Sequence, residues 1–492
     1  MNLSIVRKGD VMAEDDSSFG EVAITSRNIP VTAQADVVVI GGGPAGFGAA
    51  TRAAQKGADT ILIERFGGLG GNMTNAFMCA IIVPKPGLNT EMLERLKSQG
   101  QVDVSERYPG LWETPVYTSG RQRSFYPDMA ALVMQQILQE NRVRLMVRTA
   151  FIDALVSKGG DTIEAVIVEN ASGVQAVKGK VFIDCTGRGN LVVRSGAPYM
   201  KTAEGLDRNL PIPSSLLWKL SNVNFESFIA YLKQDPALAK KIAEAKAAGD
   251  VSNELFRPRP VNTYGSRYKG HDTIDLCQLA APGDALMECS IPYEWGLNCA
   301  DNGADASRAE VEMRNFILAE WKFLRKYVPG FENAFITGIA PLMGQRDGNR
   351  PIGEYVLTYD DVINNRKFPD AVLKQGGTYP FDLDVPSSMR KGVRFDIPYR
   401  AFLPKKIDNL LVAGDCLAFE DNIRVNLLKS IPLSMITGEV AGISAAYAAK
   451  QGISVKEVKW THYYVPDDHP VAFAWERGGV PRTLGSWERQ LV

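Results

Sequence analysis

Histidine is scarce in this 492-residue chain, with only His271, His462 and His469. Its six cysteines, Cys79, Cys185, Cys277, Cys289, Cys299 and Cys416, include no close CxxC pair. These two shortages leave no metal-ligand spacing, so no metal site is expected. Buried free thiols are the plain reading of the cysteines, with a redox pair made by folding as the alternative. No apolar run is long enough to cross a bilayer. The formal net charge is −1, too small to draw in nucleic acid or an anionic lipid surface. Residues 1–32 are polar, acidic around Glu14-Asp15-Asp16, and lack an apolar signal core. The expectation is a cytoplasmic protein with no nucleic-acid and no membrane partner.

Against that background one segment stands out. Asp36-Val37-Val38-Val39-Ile40 reads as a buried strand, Gly41-Gly42-Gly43-Pro44-Ala45-Gly46 as a glycine turn opening a helix, and Ile61-Leu62-Ile63-Glu64 as a second strand ending on an acid. Gly41 permits the tight turn, Gly43 lets main chain approach a pyrophosphate, and Gly46 lets helix pack on strand. The helix start, with Pro44 and Ala45, offers unpaired amides to phosphate oxygens. Glu64 stands where a carboxylate can accept from ribose hydroxyls. Arg65 follows it. Then Gly67-Gly68-Leu69-Gly70-Gly71-Asn72 puts four glycines in five positions, which suits main chain pressed against a flat or anionic ligand and not a helix interior.

Elsewhere the patterns are coarser. An amphipathic helix is expected over Met129–Asn141, then a strand-rich apolar run from Val143 to Val156 that includes Ala150 and Phe151. Thr162–Glu169 and Val174–Asp184 read as a β-meander running into Thr186-Gly187, a second place for main chain to meet a nucleotide. Helices are expected within Phe225–Ala248, broken near Pro236, and at Ala306–Tyr327. Lys406–Asp415 reads as a short buried strand ending in Gly414-Asp415. A small-residue helix over Pro432–Gln451 follows, with Pro432 in its first position. Residues 1–33 form an arm, 34–200 the first part of a dinucleotide domain, 201–400 a cap and 401–455 the return segment. Residues 456–492 are an aromatic tail that packs on its own chain or a twin subunit.

A single glycine fingerprint argues against two separate nucleotide units. Asp415, at a strand end, suits ribityl hydroxyls, and the start of the last helix suits the N1/C2=O edge of a reduced flavin. The set of motifs resembles the FAD-dependent oxidoreductases related in fold to the fumarate reductase and glutathione reductase flavoproteins. The matching stretches are Val37–Gly46, Glu64–Gly71, Phe182–Gly187, Arg346–Tyr355, Asp408–Asp415 and Ile423–Val425. The resemblance implies an α/β fold: a Rossmann-like FAD-binding domain of glutathione reductase type with an interleaved α+β cap. It implies FAD, with Gly41, Gly43 and Gly46 at the pyrophosphate and Glu64 at the adenosine ribose. Gly70, Gly71 and Asn72 would lie at pyrophosphate or ring, the main chain of Ala150 and Phe151 at adenine, and Gly414 and Asp415 at the ribityl chain.

The chain departs from the family where substrate should meet the ring. No histidine follows Gly414-Asp415-Cys416; the residues there are Leu417 to Asn422. Glu420, Asp421, His462, His469 and cap tyrosines are the remaining proton-transfer groups. Arg424 and Lys429 are candidate cations, and Arg346 and Arg350 lie in a family-like stretch that could equally link domains. Cys79 reads as a core cysteine, with a covalent flavin tether as the alternative. The expected activity is an oxidase or dehydrogenase taking hydride from a small organic substrate at flavin N5. Reduction of an activated double bond, monooxygenation and an electron-carrying flavoprotein subunit are the other readings. A homo-oligomer or an electron-transfer partner is left open.

Overall fold

A computed structural model describes residues 28–81, 87–102, 123–202, 214–235, 238–252, 255–256, 275–291, 295–345, 347–376, 394–420 and 430–464. The expectations placed on Asp421, Arg424, Lys429, Arg346, His469 and residues 465–492 of the aromatic tail lie outside the described residues.

The alternating apolar run ahead of the glycine turn forms β1 (Val31–Ile40), the glycine turn opens α1 (Pro44–Gln55), and the apolar run after it forms β2 (Thr60–Ile63). Helix α2 (Pro127–Glu140) has Pro127 in its first turn, where a missing amide costs nothing. Strands β3 (Arg144–Met146), β4 (Ala150–Val156), β5 (Ile163–Asn170) and β6 (Gly173–Asp184) follow. The apolar run 143–156 is thus two strands, not one. Arg148 turns the chain with a left-handed φ of 50°, and its amide donates to Phe66 O at 3.0 Å while Thr149 N donates to Glu64 O at 2.9 Å. Those bonds pull β3 parallel to β2 and send β4 away to pair antiparallel with β5.

A second sheet is built by β7 (Ser215–Ser221), β8 (Asp275–Gln278) and β9 (Ala285–Ser290). The long helix α3 (Gly303–Tyr327) packs on β7 and β9. Its Asn302 side chain accepts from the amides of Ala304 and Asp305 at the start, and β10 (Phe335–Ile339) completes the sheet in the order β8-β9-β7-β10. Shorter helices span Phe225–Leu232 and Ala239–Ala247, on either side of Pro236. The chain then returns as β11 (Leu410–Val412) and α4 (Ile431–Gln451). Ser430, not Pro432, starts α4: its hydroxyl accepts from Leu433 N at 3.2 Å, and Pro432 falls in the second helical position.

In the large sheet, β3, β2, β1, β6 and β11 run parallel, and β6 also pairs antiparallel with β5. Register decides the consequence. Ile40 pairs with Ile63 and with Asp184, and Asp184 pairs with Val412. The residues that follow, Gly41, Glu64, Cys185 and Ala413, therefore leave the sheet at one edge, the carboxyl-end crevice where open α/β sheets bind ligands.

Helices α1 and α4 cross in main-chain contact. A Cβ on Gly48 would sit 2.3 Å from Met435 O, one on Gly438 1.9 Å from Ala45 O and one on Gly442 2.1 Å from Ala49 O. Buried between the same helices, Arg52 Nε meets Glu439 Oε2 at 2.7 Å, and Tyr464 Oη donates to that oxygen at 2.7 Å. Trp460 Nε1 donates to Ser444 Oγ at 3.1 Å, so the tail through residue 464 packs on its own chain. Gly442→Val should lower unfolding free energy by about 3 kcal/mol, since the added atoms oppose rigid main chain. Chemical denaturation would show it; an unchanged midpoint would mean the helices can part at no cost.

Candidate functional site

The crevice is built mostly from main chain. Gly41 has φ 99°, and a Cβ there would lie 2.6 Å from Cys185 O. A Cβ on Gly46 would lie 1.8 Å from Gly41 O. These two glycines are required by the protein's own packing. Gly43 differs: its φ of −68° suits any residue, and a Cβ would meet only Gly71 Cα at 3.9 Å. Nothing in the fold demands glycine at 43, so the space in front of it is left for something else.

Helix α1 starts at Gly43 without a side-chain cap. Pro44 has no amide, and those of Ala45 and Gly46 precede the first intrahelical bond, Phe47 N to Gly43 O at 2.9 Å. Two donors and the positive end of the helix thus face the crevice. Gly70 and Gly71, with φ 109° and 52°, form the opposite wall. Gly70 N donates to Gly42 O at 2.7 Å, and a Cβ on Gly71 would approach Gly43 Cα to 3.0 Å.

Glu64 is buried at the end of β2, accepting from Gly42 N at 2.7 Å and Phe66 N at 2.8 Å. Burial raises its pKa above the ordinary value, with those two amides opposing the shift. Each oxygen keeps acceptor capacity for a further donor. Ala150 and Phe151 begin β4 directly after Thr149, which is bonded to Glu64. Asp184 is buried and braces the next loop, accepting from Thr186 N at 2.9 Å, Thr186 Oγ1 at 2.7 Å and Val192 N at 3.0 Å. Beside it Gly187 has φ 73° and open space where a Cβ would go. On the return segment Gly414, φ 72°, donates to Thr437 Oγ1 at 3.0 Å. Among the described residues no donor bonds the Asp415 carboxylate. Gly414 also faces α1: its Cβ would lie 2.9 Å from Ala45 Cβ.

The cap docks on the far wall. Asn72 Nδ2 donates to Gln345 O at 2.8 Å, Leu342 N donates to Asn75 O at 3.1 Å, and Lys219 Nζ lies 4.7 Å from the Phe77 ring centre. Phe77 carries a left-handed φ of 57°, strained for a non-glycine residue. On the same strand as Lys219, Ser215 Oγ lies 2.9 Å from Ser290 Oγ. Lys219, Phe77, Ser215 and Ser290 carry no motif; only cross-strand register brings them to this seam.

The proposed reactive side chains that fall among the described residues have these partners in the chain. Arg350 is fully buried, its Nη1 donating to Phe419 O at 3.0 Å and Nη2 to Lys201 O at 3.4 Å, which ties the return segment to the strand before the cap. Glu420 accepts from Tyr359 N at 2.8 Å. His462 Nδ1 lies 2.8 Å from Thr461 Oγ1, at the surface. Cys79 is fully buried and burial pushes its thiol up to about 12, the behaviour of a core cysteine. All six cysteines are free and buried, and among the described residues no cluster could hold a metal ion.

Parallel strand ends, an uncapped helix start, a buried acid after the second strand and a crevice left open at Gly43 define a dinucleotide-binding flavoprotein fold. Comparison with known proteins makes this specific: residues 36–464 match the family described as FAD dependent oxidoreductase, and the chain belongs to that family. It is an enzyme and its cofactor is FAD. Over 52 residues it is 48% identical to the mitochondrial dihydrolipoyl dehydrogenase of Caenorhabditis elegans, covering 11% of this chain and 10% of that protein. Over 39 residues it is 62% identical to the dihydrolipoyl dehydrogenase of Buchnera aphidicola, covering 8% of each. The chain thus spans about a tenth of the length of these curated relatives. A geranylgeranyl bacteriochlorophyll reductase-like protein of Thermoplasma acidophilum is similar at 14% identity and TM-score 0.45, over 85% of this chain and 80% of that one. Among the described residues no helix is long and apolar enough to cross a membrane.

The residues present fit FAD, since the open face of Gly43, the free amides of α1 and the unbonded Asp415 are what an extended dinucleotide requires. Gly43→Ala should fold with the wild-type melting temperature as apoprotein yet retain under about a tenth of the FAD, while Gly46→Ala should lose the fold. Flavin absorbance per protein, read beside circular dichroism, separates the two; Gly43→Ala binding FAD normally would refute the cradle.

Glu64 gives a pH dependence of opposite sign in the two forms. Its folded pKa is raised, so in the apoprotein its contribution to stability is full below the unfolded pKa of about 4.3 and is lost as pH rises through the folded value. With Glu64 as the ribose acceptor, FAD binding would use the ionised carboxylate, whose bonds to hydroxyls are the stronger ones. Acidification from neutral should therefore shrink the thermal stabilisation given by added FAD, and Glu64→Gln should remove that dependence. Equal pH profiles for the two proteins would count against Glu64 as the ribose acceptor.

Proposed function

We propose that the enzyme is an oxidase or dehydrogenase that oxidises a small organic molecule in the seam between the glycine-walled crevice and the cap sheet. The carrying observation is the docking of Gln345 and Leu342 onto Asn72 and Asn75, which sets a β-sheet across the loop that continues the crevice wall. FAD, when bound, supplies the hydride acceptor. The chain supplies position, charge and exclusion of water.

Gly41, Gly43, Ala45, Gly46, Gly70 and Gly71 hold the diphosphate end through main chain, which admits the ligand closely and fixes it without side-chain entropy. Glu64 holds the adenosine ribose and Asp415 the ribityl hydroxyls. The Ser430-capped start of α4 directs the positive end of a 21-residue helix toward the return loop, where it stabilises negative charge. The cap places Lys219 and the Ser215–Ser290 hydroxyl pair on the strands that cover the crevice. Lys219 Nζ pairs with Asp128 Oδ2 at 3.3 Å and has further donors with which to orient a substrate carboxylate, and paired hydroxyls can hold a substrate hydroxyl or amine. Glu420 accepts from Tyr359 N through one carboxylate oxygen, and its second oxygen keeps acceptor capacity for a substrate proton.

Anaerobic mixing of the yellow protein with 2-hydroxy acids, amino acids, amines and alcohols tests this. The expected result is bleaching of the flavin band near ~450 nm, a property of the cofactor, by one class without NADH or NADPH. Reduction only by NADPH would favour a monooxygenase. Reoxidation of photoreduced enzyme by activated alkenes but not by oxygen would favour a double-bond reductase.

A further inference from the structure

One arginine in the crevice wall belongs to no motif and, among the described residues, has no hydrogen-bond or ion-pair partner for its side chain. Arg188 follows Gly187 in the loop after β6. Among the described residues its guanidinium makes no hydrogen bond or ion pair. The loop cannot simply swing it out to water, because its main chain is interlocked with the cap. A Cβ on Gly348 would lie 2.6 Å from Arg188 Cα and 2.6 Å from Gly187 O, and one on Gly189 would lie 2.7 Å from Asn349 O. Asp184 braces the same loop from below. The side chain is only partly exposed. Its charged neighbours are Arg65, just after Glu64, and Asp301 at the start of α3; the Cys299 thiol is also near. Asp301 is no closed ion-pair partner: its Oδ1 accepts instead from Asn349 Nδ2 at 3.2 Å. Arg65 is exposed; its guanidinium lies 5.0 Å from the Phe66 ring centre and its charge also acts on Glu64, but among the described residues it makes no hydrogen bond or ion pair.

We infer that Arg188 forms an oxyanion site at the seam between the FAD cradle and the cap, in the field of Arg65, taking a phosphate or carboxylate. A half-buried guanidinium held by rigid main chain beside a second cation is costly unless an anion completes it. The planar fork of arginine matches phosphate and carboxylate geometry and gains the strength of charge-assisted bonds. Open space at Gly187 adjoins it. Burial first, and the charge of Arg65 second, push the guanidinium pKa below the usual arginine value, in keeping with a cation awaiting its counter-ion. The anion has two sources: the diphosphate of the bound cofactor, or an acidic group on the substrate. The inference rests on the cradle reading of the crevice.

Wild-type, Arg188→Gln and Arg188→Lys proteins separate these sources. Apoprotein is titrated with FAD, ADP and riboflavin. Holoenzyme is titrated with inorganic phosphate and acetate while the flavin spectrum is followed. Among the described residues the guanidinium bonds nothing, so both variants should fold, with apoprotein melting temperatures at or above wild type. A tenfold or greater loss of FAD and ADP affinity in Arg188→Gln, with riboflavin unaffected and partial recovery in Arg188→Lys, supports the site and assigns it to the diphosphate. Unchanged FAD and ADP affinity, with a phosphate- or acetate-induced spectral change seen in wild type and lost in Arg188→Gln, supports it and assigns it to a substrate anion. Affinities and spectra that are the same in all three proteins overturn it. Gly43→Ala, run in parallel, reports on the cradle separately: FAD retained there sinks that reading, whatever Arg188 does.

Discussion

Main-chain contact between α1 and α4 is the constraint on which the rest of the structure depends. At Gly48, Gly438 and Gly442 the helices approach until carbonyl oxygens occupy the places where side chains would begin. This closeness carries the start of α1 to Gly414 and the Ser430 end of α4, two segments far apart in sequence. A gap of even one methyl group would separate the phosphate-facing amides from Asp415. Small residues here cost helix propensity and side-chain packing, offset by dispersion between closely fitted backbones and by the buried Arg52–Glu439 pair. Removing one member of that pair would leave a charge without its partner in a dry interface.

The crevice inherits its order from the sheet. Because Ile63, Ile40, Asp184 and Val412 stand level across four parallel strands, the loops that line the crevice begin at the same height. Asp184 then fixes the loop after β6 by three hydrogen bonds. That is why a buried carboxylate, itself destabilised by desolvation, is kept in the core. The same bracing denies Arg188 an easy route to solvent.

The glycines are not equivalent. Gly41 and Gly46 satisfy the protein's own packing, whereas Gly43 and Gly187 face free space. The first kind makes the fold and the second leaves room for what the fold binds. The cap uses a related economy: it meets the crevice wall largely through the main chain of Leu342, Gln345, Gly348 and Asn349. Its strands can therefore present different side chains without disturbing the cradle, as suits an oxidoreductase family whose chemistry resides in a shared cofactor.

Local pattern alone determined the β1–α1–β2 unit, because the glycine turn, the apolar strand and the terminal acid are each set by nearest neighbours. It also marked the β-meander, the two short helices on either side of Pro236 and the last helix, where period and proline act over a few residues. The turn at Arg148 was not legible, since it depends on Glu64 and Phe66 drawing the chain around a strand end. Nor were the fates of Arg350 and Glu420, whose partners, the carbonyls of Phe419 and Lys201 and the amide of Tyr359, carry no side-chain identity for a sequence to display. Arg188, Lys219 and the Ser215–Ser290 pair became visible only once cross-strand register and interlocked loops had set them beside the crevice. Sequence states which groups exist and how the chain bends nearby; which charges end without a counter-charge is decided by long-range packing, because burial and distance are properties of the folded chain alone.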